Sequence, residues 1–381
     1  MTLPRILAVL LVSAWAAACA AHDDAAPADP YPLAVPPGFP RPSVAAADAV
    51  TPAKVELGRH LFYDRRLSAN QTLSCAGCHD QAHAFADVRT VPVGSTGTAL
   101  LRNGQSLGNV AYFAVFTWAN PVLGTLEKQA LVPLLGDQPV ELGWSDASVP
   151  VIMARLREDV TYTRLFAAAY PGISDPVARQ YVVGALTAFE RTLISGRSPY
   201  DRYAYDRDEG AIGADAKRGL DLFFSEKTEC YHCHTGITFG GSFVSEGTPA
   251  NTQYENNGLY NLDARGAYPP GNNGLYELTK QEGDRGRFRV PSLRNVGVTA
   301  PYMHDGSIST LEAVLDHYMA GGRNVESGAY AGDGRKNPNK SNLVRPFVLD
   351  EGERAALLAF LRSLTDEAFL RDPRFADPWP R

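Results

Sequence analysis

The chain has 381 residues, 45% of them hydrophobic, and a formal net charge of -6. That length suits two domains of ordinary size, the apolar content argues against disorder, and the acidic balance speaks against nucleic acid as a partner. Five cysteines are too few for a disulfide scaffold of this length, and the number is odd.

The N-terminus places Arg5 before an apolar run from Ile6 to Trp15, followed by Ala16-Ala17-Ala18-Cys19. A positive charge, a short apolar stretch and a small-residue site describe a secretory signal peptide, taken here as residues 1–21. Cys19 also fits a lipoprotein signal ending just before it, in which case this cysteine carries a lipid; ordinary cleavage nearby is the competing reading. Both place the mature protein outside the cytoplasm, periplasmic or at the cell surface. The membrane is then reached only through a lipid on Cys19, because no later run approaches about 18 apolar residues. Residues 22–47 are rich in Ala, Pro and Asp and read as a flexible tether.

Val55 to Tyr63 carries apolar residues at three- and four-residue intervals and reads as a helix. It precedes Cys75-Ala-Gly-Cys78-His79. A second such helix, Ala216 to Phe224, precedes Cys230-Tyr-His-Cys233-His234. Val182 to Leu193 and Glu353 to Leu364 read as helices closing each half, with a boundary in the charged, Gly-containing stretch from Tyr200 to Gly213. Alternating strand patterns are scarce, and no internal repeat is visible. Gly236 to Asp284, dense in Gly, Asn and Tyr, reads as a long ordered excursion.

C-x-x-C-H is the c-type haem attachment motif: two thiols add to the haem vinyl groups, and the next residue presents imidazole to iron. A split four-cysteine zinc site, paired redox motifs and two disulfides are the competing readings. Only 8 of 381 residues are His, so one after both pairs by chance has a probability of roughly 0.0004. The fold expected is all-α, mainly helical: two cytochrome c-like domains, 48–205 and 206–375, each carrying one covalent c-type haem, with long irregular loops.

Two such motifs, with Arg289-Val-Pro-Ser-Leu-Arg-Asn-Val-Gly-Val-Thr-Ala-Pro-Tyr-Met-His-Asp-Gly306 after the second, resemble the bacterial dihaem cytochrome c peroxidase/MauG superfamily. Tyr63-Asp-Arg-Arg-Leu-Ser68, Asn109-Val-Ala-Tyr112 and Thr117-Trp-Ala-Asn-Pro121 look most like its MbnH-type enzymes, which oxidise tryptophan on a partner protein. The resemblance implies a peroxide-dependent oxidoreductase that forms high-valent iron and modifies a partner's tryptophan toward kynurenine. The alternatives are a cytochrome c peroxidase drawing electrons from a small redox protein, and a dihaem electron carrier.

The resemblance also implies roles for single residues. His79 and His234 become the iron ligands. Counting eight residues from Thr310 reaches Tyr318, a ligand at the second haem, with Met319 about 100° further round the helix. A phenolate ligand favours oxidised iron, whereas a thioether raises the potential. At the first haem, Thr98 stands where many peroxidases carry a blocking histidine, so that iron is expected to be open, and His83 is read as a surface or propionate contact. Gln129, Pro133 and Glu141 match the distal segment, with Glu141 as acid/base. Trp118 resembles the tryptophan between the haems. Asn103, Thr299 and Pro301 fall where the family binds calcium, an oxygen shell that waters would complete. Met303, His304 and His317 have no assigned role.

Overall fold

The computed structural model describes residues 30–380. The stretch read as a signal peptide, with Cys19, and residues 22–29 of the tether lie outside them. From Pro30 the Ala/Pro-rich stretch is laid against the body: the amide of Tyr31 donates to Val50 O at 2.8 Å. Phe39 is buried, its ring 5.9 Å from Tyr112 and 6.2 Å from Tyr205.

The described residues are mainly helical: α1 (Pro52–Tyr63), α2 (Leu126–Leu135), α3 (Ser148–Glu158), α4 (Val160–Ala169), α5 (Arg179–Glu190), α6 (Pro199–Tyr205), α7 (Ala214–Phe223), α8 (Tyr276–Thr279), α9 (Leu311–Met319), α10 (Glu351–Ser363) and α11 (Glu367–Leu370). Starts are set by side-chain caps. Thr51 accepts from the amide of Lys54 with Pro52 at the first turn, and Asp350 and Glu353 form a reciprocal capping box on α10. Strands are short antiparallel pairs: β1 (Ser242–Ser245) with β2 (Thr248–Thr252), β3 (Tyr254–Glu255) with β4 (Phe288–Arg289), and β5 (Asn324–Val325) with β6 (Gly332–Asp333). None closes into a larger sheet, and long loops fill the rest.

The structure carries an internal repeat that no fixed period in the sequence makes visible. α1 crosses α5, and α7 crosses α10, with one glycine at each crossing. A Cβ on Gly58 would stand 1.9 Å from Ala185 O, and one on Gly219 would stand 2.0 Å from Ala356 O. Only the bare backbone lets the helices approach this closely. The aromatic packing repeats as well. Phe62 and Phe189 pack tilted at 5.2 Å and 59°, Phe223 and Phe360 at 5.1 Å and 57°; Phe62–Phe85 and Phe223–Phe239 are both 5.9 Å and 75°. Each copy anchors a hydrophobic core, one around Leu57, Phe62 and Phe189, the other around Phe223, Leu357 and Phe360. Asn109 and Asn295, both left-handed, repeat a further turn: their amides donate to Leu193 O and Leu364 O.

A third cluster gathers Trp118, Leu259, Tyr260, Tyr268, Phe288 and Ile308. Leu259, Tyr260 and Tyr268 come from the excursion 236–284, which thereby packs against Trp118, Phe288 and Ile308. α6 opens the segment expected as a boundary. Its Asp201 pairs with Arg294 at 2.5 Å, with side chains 3% and 1% exposed, which ties α6 to the loop following the second cysteine motif.

Candidate functional site

Both cysteine motifs fold as a single tight turn, Cys75–Gly77 and Cys230–His232, in which the His amide bonds back to the first Cys carbonyl at 3.0 Å. No disulfide joins the four thiols. His79 Nδ1 lies 2.8 Å from Phe85 O, and His234 Nδ1 lies 3.0 Å from Phe239 O. A carbonyl can only accept, so Nδ1 carries the proton and Nε2 offers its lone pair. Burial holds both imidazoles neutral, pushing His234 down to about 4 and His79 in the same direction. Each repeat thus presents two unpaired thiols and one neutral, oriented imidazole, the donor set that covalent haem requires.

A cavity of about 240 Å³ opens beside the second motif, with Cys230, Cys233 and His234 on its wall. From α9, Leu311, Val314, Leu315 and Tyr318 line it. Their three- and four-residue spacing is one helical stripe. Met319 falls off that stripe: it packs on the neighbouring core, its Sδ 4.0 Å from Arg354 Nη1. Burial pushes the Tyr318 phenol up to about 12. The geometry therefore brings Tyr318, and not Met319, to the cavity that His234 lines.

Trp118 also lines the cavity. It is buried, its Nε1–H donating to Asn103 O at 2.9 Å, while its own carbonyl accepts from Arg289 N at 2.7 Å. Arg289, also on the wall, is 2% exposed. Its guanidinium reaches Thr117 O, Phe116 O and Gln105 Oε1, all neutral, and pairs with no carboxylate among the described residues. Desolvation pulls it down to about 10. A buried cation with only neutral partners fits a cavity that receives an anionic group, such as a haem propionate.

The distal candidates gather at the first motif instead. Gln129 and Pro133 lie one turn apart on α2, and Leu142 N donates to Pro133 O at 2.9 Å, folding the Glu141 loop onto that helix. Burial raises the thiol pKa of both Cys75 and Cys78, and the Glu141 carboxylate adds to the rise at each. Burial also lifts the Glu141 carboxyl itself to about 7. Gln129 Oε1 is buried with no partner. Ser95 N donates to Glu141 O at 2.8 Å, so the Gly94–Thr98 turn, which offers no imidazole, is stitched to the same loop. His83 pairs with Asp80 at 2.6 Å at the surface.

Asn103, Thr299 and Pro301 do share the cavity wall near Trp118. The cluster with metal-ligand spacing among the described residues is a different one, Glu226, Glu229 and His232. His304 stacks on Phe288 at 3.7 Å, His317 Nε2 lies 3.0 Å from Asn257 O, and Met303 Sδ accepts from Asn257. Sequence reasoning passed over Arg289, since nothing in sequence marks a buried cation. It also passed over Glu190, a carboxyl that burial lifts to about 8 and that adds to the effect of burial on Cys75. In the repeat, Leu361 takes its place and lines the cavity beside the second motif.

A family model for di-haem cytochrome c peroxidase matches residues 52–209. Methylamine utilization protein MauG of Methylorubrum extorquens is 36% identical over 322 residues, 84% of this chain and 80% of that one. Cytochrome-c peroxidase IdrP1 of Denitromonas iodatirespirans is 32% identical over 389 residues, 97% and 96% of the two chains. Among solved structures, a MauG-like protein associated with microbial copper homeostasis matches with TM-score 0.89 at 46% identity, covering 92% of this chain and 100% of that one.

Proposed function

Because the chain belongs to the dihaem cytochrome c peroxidase/MauG family and is a peroxide-using oxidoreductase, we propose that it directs the oxidising power of peroxide onto a tryptophan of a partner protein. The observation that carries this reading is the placement of Tyr318 on the cavity wall with His234, while Met319 packs elsewhere. A phenolate ligand favours oxidised iron and a thioether favours reduced iron. The tyrosine suits holding oxidising equivalents for a reluctant donor.

Each repeat is assigned one covalent haem, in cytochrome c-like domains 48–205 and 206–375. Bound there, the haems supply peroxide cleavage and storage of two oxidising equivalents. The chain's own residues do the rest. Glu141, near neutral pH poised between its two forms, takes a proton from one peroxide oxygen and returns it to the other. Gln129 and Pro133 shape the space in front of it. Trp118 links the two sites, its indole fixed by Asn103. Arg289 holds an anionic edge in the cavity. Asn103, Thr299 and Pro301 would offer neutral oxygens to a calcium ion, with water completing the shell.

In net terms, tryptophan and hydrogen peroxide give hydroxytryptophan and water, the first step toward kynurenine. The partner is periplasmic or at the cell surface, matching the export signal read at the N-terminus.

A second reading keeps the fold and makes the electron donor a small redox protein, with peroxide reduced to water. IdrP1, a relative named as a cytochrome-c peroxidase, aligns over 97% of this chain and favours it. Mixing the holoprotein with peroxide and the product of the neighbouring gene, then weighing that product's peptides, separates the two. Oxygen-sized increments on a tryptophan peptide support the first; peroxide turnover only with a reduced cytochrome or copper protein supports the second.

A further inference from the structure

The two cysteine frames differ in what lies between their thiols. Ala76 and Gly77 fill the first, Tyr231 and His232 the second. The Tyr231 hydroxyl donates a short hydrogen bond to the Glu226 carboxylate. Its ring lies 4.0 Å from the His232 ring and 6.1 Å from Phe224, and it packs partly on the second core. His232 Nε2 is in turn 2.8 Å from Glu229 and 3.9 Å from Glu226. Glu226 is 76% exposed, so the hydroxyl end of Tyr231 reaches the surface. A redox-capable ring thus spans from the chain segment between Cys230 and Cys233 to solvent, with a proton acceptor already in place.

Trp118 and Trp144 are buried and cannot touch a partner. Oxidising a neutral phenol is far easier when its proton leaves with the electron, which requires a base within hydrogen-bond reach. The hydrogen bond to Glu226 raises the phenol's pKa, so Tyr231 stays protonated until it is oxidised.

We propose that Tyr231, with Glu226 as its proton acceptor, is the port through which electrons enter from the partner protein. This rests on the reading given above for the function. In each cycle the ring passes one electron inward to the second haem site, and its hydroxyl proton moves to Glu226. The neutral tyrosyl radical then regains one electron from the partner's tryptophan and the proton from Glu226. Two cycles deliver the two electrons that one peroxide takes up.

The test traps the radical. The holoprotein is treated with peroxide and the nitroso spin trap 2-methyl-2-nitrosopropane without any partner, then digested and its peptides weighed. The expected adduct sits on Tyr231. It disappears in Tyr231→Phe, returns at position 231 in Tyr231→Trp, and falls by about tenfold or more in Glu226→Gln. Adducts confined to other aromatic residues, or undiminished labelling in Glu226→Gln, overturn the proposal. The Soret change on adding peroxide, read in the same samples, separates the two levels. No change removes the peroxide reading and the port together, whereas a normal change with Tyr231 unlabelled removes only the port.

Discussion

Tyr318 and Met319 are neighbours on α9, yet only Tyr318 lines the cavity that holds Cys230, Cys233 and His234. Met319 Sδ sits 4.0 Å from Arg354 instead. One residue of helical rotation, about 100°, decides which chemistry reaches the second haem site.

Glu141 gives the first prediction. Its carboxyl, lifted to about 7 by burial, is ionised above that pH and neutral below it. A base must be ionised to take a proton, so the reaction with peroxide slows as pH falls through about 7. Glu141→Gln is expected to slow that reaction about a hundred- to ten-thousand-fold at pH 8 and to flatten the pH profile. Stopped-flow mixing of holoprotein and peroxide across pH 5–9 (a range chosen to bracket about 7) measures both.

Trp118→Phe keeps most of the buried aromatic surface but removes the donor to Asn103 O. The unpaired carbonyl costs about 1–3 kcal/mol in stability. More telling is the split between the haems. Peroxide is expected to react at the first site as before, while the spectral response of the second slows. An unchanged second response would remove Trp118 from the path.

Gly219→Ala tests the repeat. Alanine usually favours a helix over glycine by up to about 1 kcal/mol. Here its Cβ would meet Ala356 O at 2.0 Å, so the sign reverses. Overpacking of this kind costs about 1–3 kcal/mol. Gly58→Ala, facing Ala185 O at 1.9 Å, should behave alike. Thermal unfolding of the holoproteins reads both, with a lowered Tm expected for each.

Asp201 and Arg294 form a buried pair joining α6 to the loop after the second motif. Removing one partner strands the other charge away from water. Asp201→Asn is expected to cost about 3–5 kcal/mol. Urea unfolding would show it as a lower midpoint.

The two C-x-x-C-H frames stand out in the sequence because covalent haem attachment would fix such a spacing, and the four main helices because each has one apolar stripe. The repeat was harder to see. Ala185-Leu-Thr-Ala-Phe189-Glu-Arg-Thr-Leu193 and Ala356-Leu-Leu-Ala-Phe360-Leu-Arg-Ser-Leu364 match residue for residue at six of nine positions. The offset between copies, however, is 155 at His79 and His234 but 186 at Asn109 and Asn295, so no fixed period exists to detect. Insertions such as 236–284 stretch the second copy. Arg289 and Glu190 were illegible for another reason. A charged residue reads as surface until tertiary packing places it beside a cavity. Phe39 reversed that error, since a Pro-rich context concealed an apolar anchor.

The placement of Tyr318 is tested most directly by comparing the resting spectrum and reduction potential of the second haem in Tyr318→Phe and Met319→Leu holoproteins. The expected result is a changed spectrum and a shifted potential in Tyr318→Phe, with Met319→Leu indistinguishable from the parent. A second haem untouched by Tyr318→Phe but altered by Met319→Leu would contradict the tyrosine assignment, and with it the reason for preferring a protein tryptophan as the electron source.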